Sequence, residues 1–172
     1  GEPQSGKTAM MIALTSKLIE DNHNLIIILV NDSVKLMDQN LNRFIKSSMR
    51  PCPRDAMEAY EGGNLSENKN ILFCRKNIKL LDKLLHLVEE RKKIIIDDEA
   101  DFATPNGKVN KGDRTAINEA IFKMINEQAI YIGVTATPAR IDLNNTFDTE
   151  NNQWVQFKPH ASYVGKENIS LL

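Results

Sequence analysis

Gly1-Glu2-Pro3-Gln4-Ser5-Gly6-Lys7-Thr8 follows the pattern G-x-x-x-x-G-K-[ST], and each part of it suits the holding of a nucleoside triphosphate. Glycines let the main chain wrap closely, so that successive N–H groups point at phosphate oxygens. Lys7 then reaches the β- and γ-phosphates, and the Thr8 hydroxyl binds Mg²⁺. Far downstream, Ile94-Ile95-Ile96-Asp97-Asp98-Glu99-Ala100-Asp101 is an apolar run that ends in acid. Asp98 is placed as the Mg²⁺ ligand across from Thr8, directly or through water, and Glu99 as the group that polarises the attacking water. Asp101 would couple the site to other motifs. Asp97 leaves a second register open, with Asp97 and Asp98 as the metal and base pair, although the D-E-x-D spacing favours Asp98 and Glu99. A third stretch, Thr135-Ala136-Thr137-Pro138, follows the apolar Tyr131-Ile132-Gly133-Val134. The hydroxyls of Thr135 and Thr137 can hydrogen-bond the acidic stretch and report phosphate state. Alone, such a tetrapeptide is a common turn; its position after the other two stretches is what singles it out.

These groups need elements to carry them. Residues 7–21 place Met10, Met11, Leu14, Leu18 and Ile19 at helical spacing. Residues 25–30 are apolar throughout, as in a strand buried on both faces of a parallel sheet. Helical period returns over 34–45, whereas Pro51, Pro53, Gly62 and Gly63 make 48–70 mostly loop, with a short helix over 55–60. Strands are expected at 71–74, 93–97 and 130–134, helices at 78–90 and 114–126, and a polar loop at 104–113. Strand and helix alternate, which predicts an α/β fold: a mostly parallel sheet covered by helices on both faces. The acids then fall at the carboxyl edge of the sheet, where open α/β folds bind ligands. The glycine-rich stretch ordinarily follows a buried strand, so a first strand is expected before Gly1 and the chain reads as part of a longer one. A nucleotide-binding domain is expected over 1–142, and an irregular Asn-, Asp- and Thr-rich segment over 143–172.

Composition narrows the partners. With 172 residues, 41% of them hydrophobic, the chain can bury the core of one domain. Its formal net charge of −1 provides no bulk basic field, so any nucleic-acid contact must be local or lie on other chain. Cys52 and Cys74 have neither C-x-x-C spacing nor a histidine at ligand distance in sequence, which fits reduced thiols in a cytosol-like compartment. No apolar run approaches the roughly 20 residues of a membrane span.

In their order, G-x-x-x-x-G-K-T, D-E-A-D and T-A-T, the three stretches resemble the superfamily-two helicases, over nearly the whole chain. The resemblance implies the RecA-like, three-layer fold of P-loop NTPases, ATP hydrolysis with Mg²⁺, and movement on nucleic acid, DNA by preference, once a second RecA-like domain is present. A closer likeness is to the Z-one domain family of endonuclease-associated helicases of restriction and defence loci. It is carried by residues 1–8, Gln39 to Arg43, Lys76-Asn77, Ile96 to Asp101, Tyr131 to Pro138, and Pro-His-Ala-Ser-Tyr-Val-Gly at 159–165. The letters D-E-A-D do not make this an RNA-type DEAD-box protein, since the third stretch is T-A-T-P rather than S-A-T. The second RecA-like domain, which supplies an arginine finger, is not in the sequence; without a finger hydrolysis typically falls roughly 10³–10⁵-fold. A nuclease domain or subunit is implied as a partner, yet no second carboxylate cluster with a nearby lysine stands out here. Two other functions fit less well: a terminase-type packaging ATPase of phages, and a nucleotide-gated binding module, against which the intact Lys7, Thr8, Asp98 and Glu99 argue.

Smaller candidates remain. Asn31-Asp32-Ser33, the following Gln39 and Arg43, and Lys76-Asn77 lie where such motors meet a nucleic-acid backbone; for Asp32 and Ser33 a helix cap explains the residues equally well. Arg114 could reach nucleotide, but a surface ion pair is preferred. His23, His86 and His160 are scattered, and Arg91-Lys92-Lys93 reads as a solvated turn. Trp154, Phe157 and Tyr163 could stack bases, with covering of the sheet edge preferred.

Overall fold

In a computed structural model of the chain, Leu25–Val30 forms the central strand, β1, with all six residues buried. The structure describes residues 5–63, 65–89, 91–100, 116–125 and 129–135. Helix α1 (Ser5–Glu20) precedes β1, and α2 (Val34–Lys46), β2 (Arg54–Asp55), α3 (Ala56–Glu61), β3 (Asn70–Arg75), α4 (Ile78–Val88), β4 (Lys93–Asp98), α5 (Ala116–Met124) and β5 (Ala129–Val134) follow. The strands lie in the order β2-β3-β1-β4-β5 and every pairing is parallel. β1 pairs from Leu25 with Asn70 to Val30 with Arg75, and on its other side from Ile26 with Ile94 to Leu29 with Asp97. A strand so placed has helices over both faces, which is why it reads as one apolar run without alternation.

Successive side chains of a strand point to opposite faces, and here that divides the core in two. Leu25, Ile27, Leu29, Leu72 and Ile95 pack with Leu81, Leu84, Ile121 and Met124 of α4 and α5. Ile26, Ile28, Val30, Phe73, Ile94 and Ile96 pack with Met11, Ile19, Met37 and Phe44 of α1 and α2. The result is a three-layer α/β sandwich. On α1 the buried stripe is Thr8, Met11, Thr15 and Ile19, each three or four residues from the last. Thr8 is thus held against the sheet by the same face that carries the packing.

Phe44 is fully buried and meets Phe73 edge to face, ring centroids 4.9 Å apart at 79°. Phe44→Ala should destabilise the domain by about 3–5 kcal/mol through lost contacts and a residual cavity. Urea denaturation checks this: the midpoint should fall with an unchanged slope.

Three features depart from the sequence reading. The stretch expected as mostly loop contains β2, which pairs Arg54 with Leu72 and Asp55 with Phe73; two residues are too few to carry a periodic signal. Asp55 caps α3 rather than belonging to it, its carboxylate accepting from the Met57 N–H at 2.8 Å. Lys93 is not part of a solvated turn. It is buried, and its ammonium donates to the carbonyls of Val88, Glu89 and Arg91 at 3.1–3.3 Å, so it satisfies the otherwise open end of α4. The loop expected at 104–113 and the segment from 143 lie outside the described residues. Among the described residues no helix is long and apolar enough to cross a membrane.

Candidate nucleotide site

Because β1, β3, β4 and β5 run parallel and in register, the residues that follow them, Asn31, Lys76, Glu99 and Thr135, gather at one edge of the sheet. The first turn of α1 faces the same edge. There Lys7, Thr8, Val30, Asn31, Leu36, Asn40, Asp98 and Glu99 line one pocket.

Strand parity decides which acid looks into it. Asp98 shares a face with Ile94 and Ile96, which pack on the α1 side, whereas Asp97 shares the opposite face with Ile95. The Lys7 ammonium lies 2.8 Å from Asp98 Oδ1 and 3.5 Å from Glu99 Oε1. Asp97 is wholly buried and bonded instead by the Lys76 ammonium at 2.8 Å and the Tyr131 hydroxyl at 2.7 Å. This geometry favours the register in which Asp98 and Glu99 are the working pair.

The Lys7 ammonium and the Asp98 carboxylate, both largely withdrawn from solvent, form the closest charged contact of the pocket. Burial pushes the Asp98 carboxyl above the usual carboxylate range; Lys7 opposes this by hydrogen bonding and charge, Glu99 reinforces it, and Lys76 opposes it weakly. Glu99 has a left-handed main chain, φ 56°, and its Oε2 accepts from the Asn31 side-chain amide. The Thr8 hydroxyl donates to Asn40 Oδ1 at 3.3 Å. Thr8 and Asp98 are hard oxygen donors of the kind Mg²⁺ takes. The described residues contain no group of three or more His, Cys, Asp or Glu able to hold a metal. A cation here would therefore complete its shell with water and phosphate oxygens, as Mg²⁺ habitually does.

Of the other expected site residues, Gly1, Glu2, Pro3, Gln4, Asp101 and Thr137 lie outside the described residues, as do Arg114, Trp154, Phe157, His160 and Tyr163. Ser5 opens α1. Among the described residues, nothing beyond its chain neighbours and its own helix backbone comes within 4 Å of where a Cβ on Gly6 would stand. Thr135 is brought beside the acids by the Asp98–Val134 pairing and by the Ala100 N–H, which donates to the Val134 carbonyl at 3.2 Å.

Gln39 and Arg43 stand half-buried one turn apart on α2. Ser33 caps α2, and Asn77 both caps α4 and donates to Asp32 at 2.9 Å, so these side chains have structural partners. Lys76 is a correction: at 1% exposure, with its ammonium turned into the protein, it offers nothing to a nucleic-acid backbone. Sequence reasoning gave no role at the nucleotide pocket to Asn31 and no role at all to Asn40 and Tyr131. Asn40 and Tyr131 fall in stretches that carry the family resemblance, but no spacing marks any of the three as a site residue; the structure places Asn31 just after β1, Asn40 on α2 and Tyr131 within β5.

A parallel three-layer sheet, with a Gly-Lys-Thr helix start facing a strand-borne acid pair, defines a P-loop ATPase domain of the helicase type. The family model for the type III restriction enzyme, res subunit, matches residues 5–140, and the chain belongs to that family. No curated protein and no solved structure matches the chain.

Proposed function

We propose that this domain binds ATP with Mg²⁺ and hydrolyses it to drive movement along DNA, as the motor of a cytoplasmic restriction or defence assembly. The observation that carries the reading is the Lys7 ammonium held between Asp98 and Glu99 in a pocket that also contains Thr8. Lys7 would exchange carboxylate for β- and γ-phosphate oxygens. Thr8 and Asp98 would hold the magnesium ion, which neutralises charge on the phosphates when bound. Glu99 would orient and deprotonate the attacking water, with Asn31 fixing one carboxylate oxygen. Gly6 suits close approach of phosphate to the main chain. Thr135 and Thr137, with Asp101, would pass the state of the phosphates to the rest of the protein.

Gln39 and Arg43 are the proposed nucleic-acid contacts, with Asn77 at the neighbouring helix start. A second RecA-like domain would supply the arginine finger, and a nuclease domain or subunit would act on the DNA. Residues 1–142 form the motor unit in this reading, 143–172 lead onward, and the Z-one type is the proposed branch. The test is ATPase activity of the full-length protein with and without duplex and single-stranded DNA. Hydrolysis stimulated by DNA is expected. ATP bound but never hydrolysed under any condition would replace the motor with a nucleotide-sensing module.

A further inference from the structure

The fully buried Lys76 lies outside the pocket, yet all three of its ammonium bonds go to the acidic stretch. It donates to Asp97 Oδ1 at 2.8 Å, to the Asp98 carbonyl at 2.9 Å and to the Glu99 carbonyl at 3.1 Å. Those two carbonyls belong to the peptide planes on either side of the Glu99 Cα. Their orientations are the φ and ψ of Glu99, so they fix the direction in which its side chain leaves the main chain. That residue is left-handed, φ 56°, a conformation disfavoured for any side chain with a Cβ, so something must hold it.

The geometry points to Lys76 as a positioning residue for ATP hydrolysis, clamping the left-handed turn that aims Glu99 at the attacking water. The inference rests on the reading of this pocket as an ATPase site.

The rest of the device is built to keep that ammonium in place. The Lys76 N–H donates to the Val30 carbonyl at 2.8 Å, which roots the residue on the central strand. Asp97 supplies the counter-charge, and its second oxygen accepts from the Tyr131 hydroxyl at 2.7 Å. The residue opposite Asp97 on β5 is Gly133, where an added Cβ would stand 3.2 Å from the Ala100 methyl, just past the acidic stretch. Stability is a poor explanation for such a pair. Exchanging a buried ion pair for uncharged residues of similar volume is often neutral or stabilising, whereas removing one partner is damaging. Directed bonds to two particular carbonyls are something an apolar substitute cannot provide.

The test therefore removes both charges together, in the full-length protein, as Lys76→Met with Asp97→Asn. The melting temperature should stay close to that of the parent and the KM for ATP within about threefold, because Lys7 and Thr8 are untouched. The kcat should fall about a hundredfold, the scale of a misplacement of about 1 Å at a reacting group. A kcat within threefold of the parent overturns the inference and leaves the ATPase reading standing. A parent protein that binds ATP and never hydrolyses it overturns both. Should the first pair not fold, Lys76→Gln with Asp97→Asn, two amides able to bond each other, is read by the same split between kcat and KM.

Discussion

Glu99→Gln should slow ATP hydrolysis by orders of magnitude while ATP binding is kept. The amide matches the carboxylate in size and can still accept from Asn31, so packing at the turn is kept. It cannot take a proton from water, and loss of a positioned general base typically lowers the rate roughly 10²–10⁴-fold. Lys7, 3.5 Å from this carboxylate, loses one of its two negative neighbours and becomes freer to meet phosphate, so ATP affinity should hold or rise. Single-turnover hydrolysis beside equilibrium binding of a fluorescent ATP analogue measures both halves. If Asp97 and Asp98 were the working pair instead, Glu99→Gln would leave the rate within about tenfold of the parent.

Asp98→Asn should separate activity from stability in opposite directions. Removing the carboxylate that would hold magnesium removes several kcal/mol of charge stabilisation, or roughly 10³ in rate. The same carboxylate is a burden on the fold. Burial holds its folded-state pKa above the ordinary value, so the folded protein takes up the Asp98 proton more readily than the unfolded chain does. The stability this group contributes is fully present below the ordinary carboxylate range and is lost as pH rises through the raised value. The amide does not titrate. The variant should therefore melt higher than the parent at pH 7, and the gap should close as pH falls toward the ordinary carboxylate range. Thermal melts of the two proteins from pH 4 to pH 8 test this, and a lower melting temperature at pH 7 would sink it.

The class of fold was legible because parallel strands buried on both faces cannot hide: Leu25–Val30 and Ile94–Ile96 are apolar without interruption. The helices between them showed their period, and the structure sets their ends within a few residues of the pattern. Lys7, Thr8, Asp98 and Glu99 were legible as chemistry, and the structure brings the four to one pocket. Choosing between Asp97 and Asp98 was harder. Strand parity separates them, but parity says which acid faces the pocket only once the layer holding α1 is known, and that is a tertiary fact. Lys76 was misjudged for a related reason. A lysine just past a strand reads as surface, and its counter-ion lies on a strand that meets β3 only through β1. Lys93 misled in the same way, since the carbonyls that hold it are exposed by the end of a helix rather than marked by any residue type.

The pairing of β1 also sets a schedule for making the protein. Both of its neighbours come later in the chain: Leu25 waits for Asn70, and Ile26 waits for Ile94. During synthesis the most apolar strand leaves the ribosome ahead of both partners and stays uncovered along one edge until β4 has emerged. A short segment of that kind, β-prone and without charge, is the sort that pairs with copies of itself. The nascent chain is thus most exposed to aggregation between the appearance of β1 and that of β4, and chaperones acting in that interval should govern the yield of folded protein.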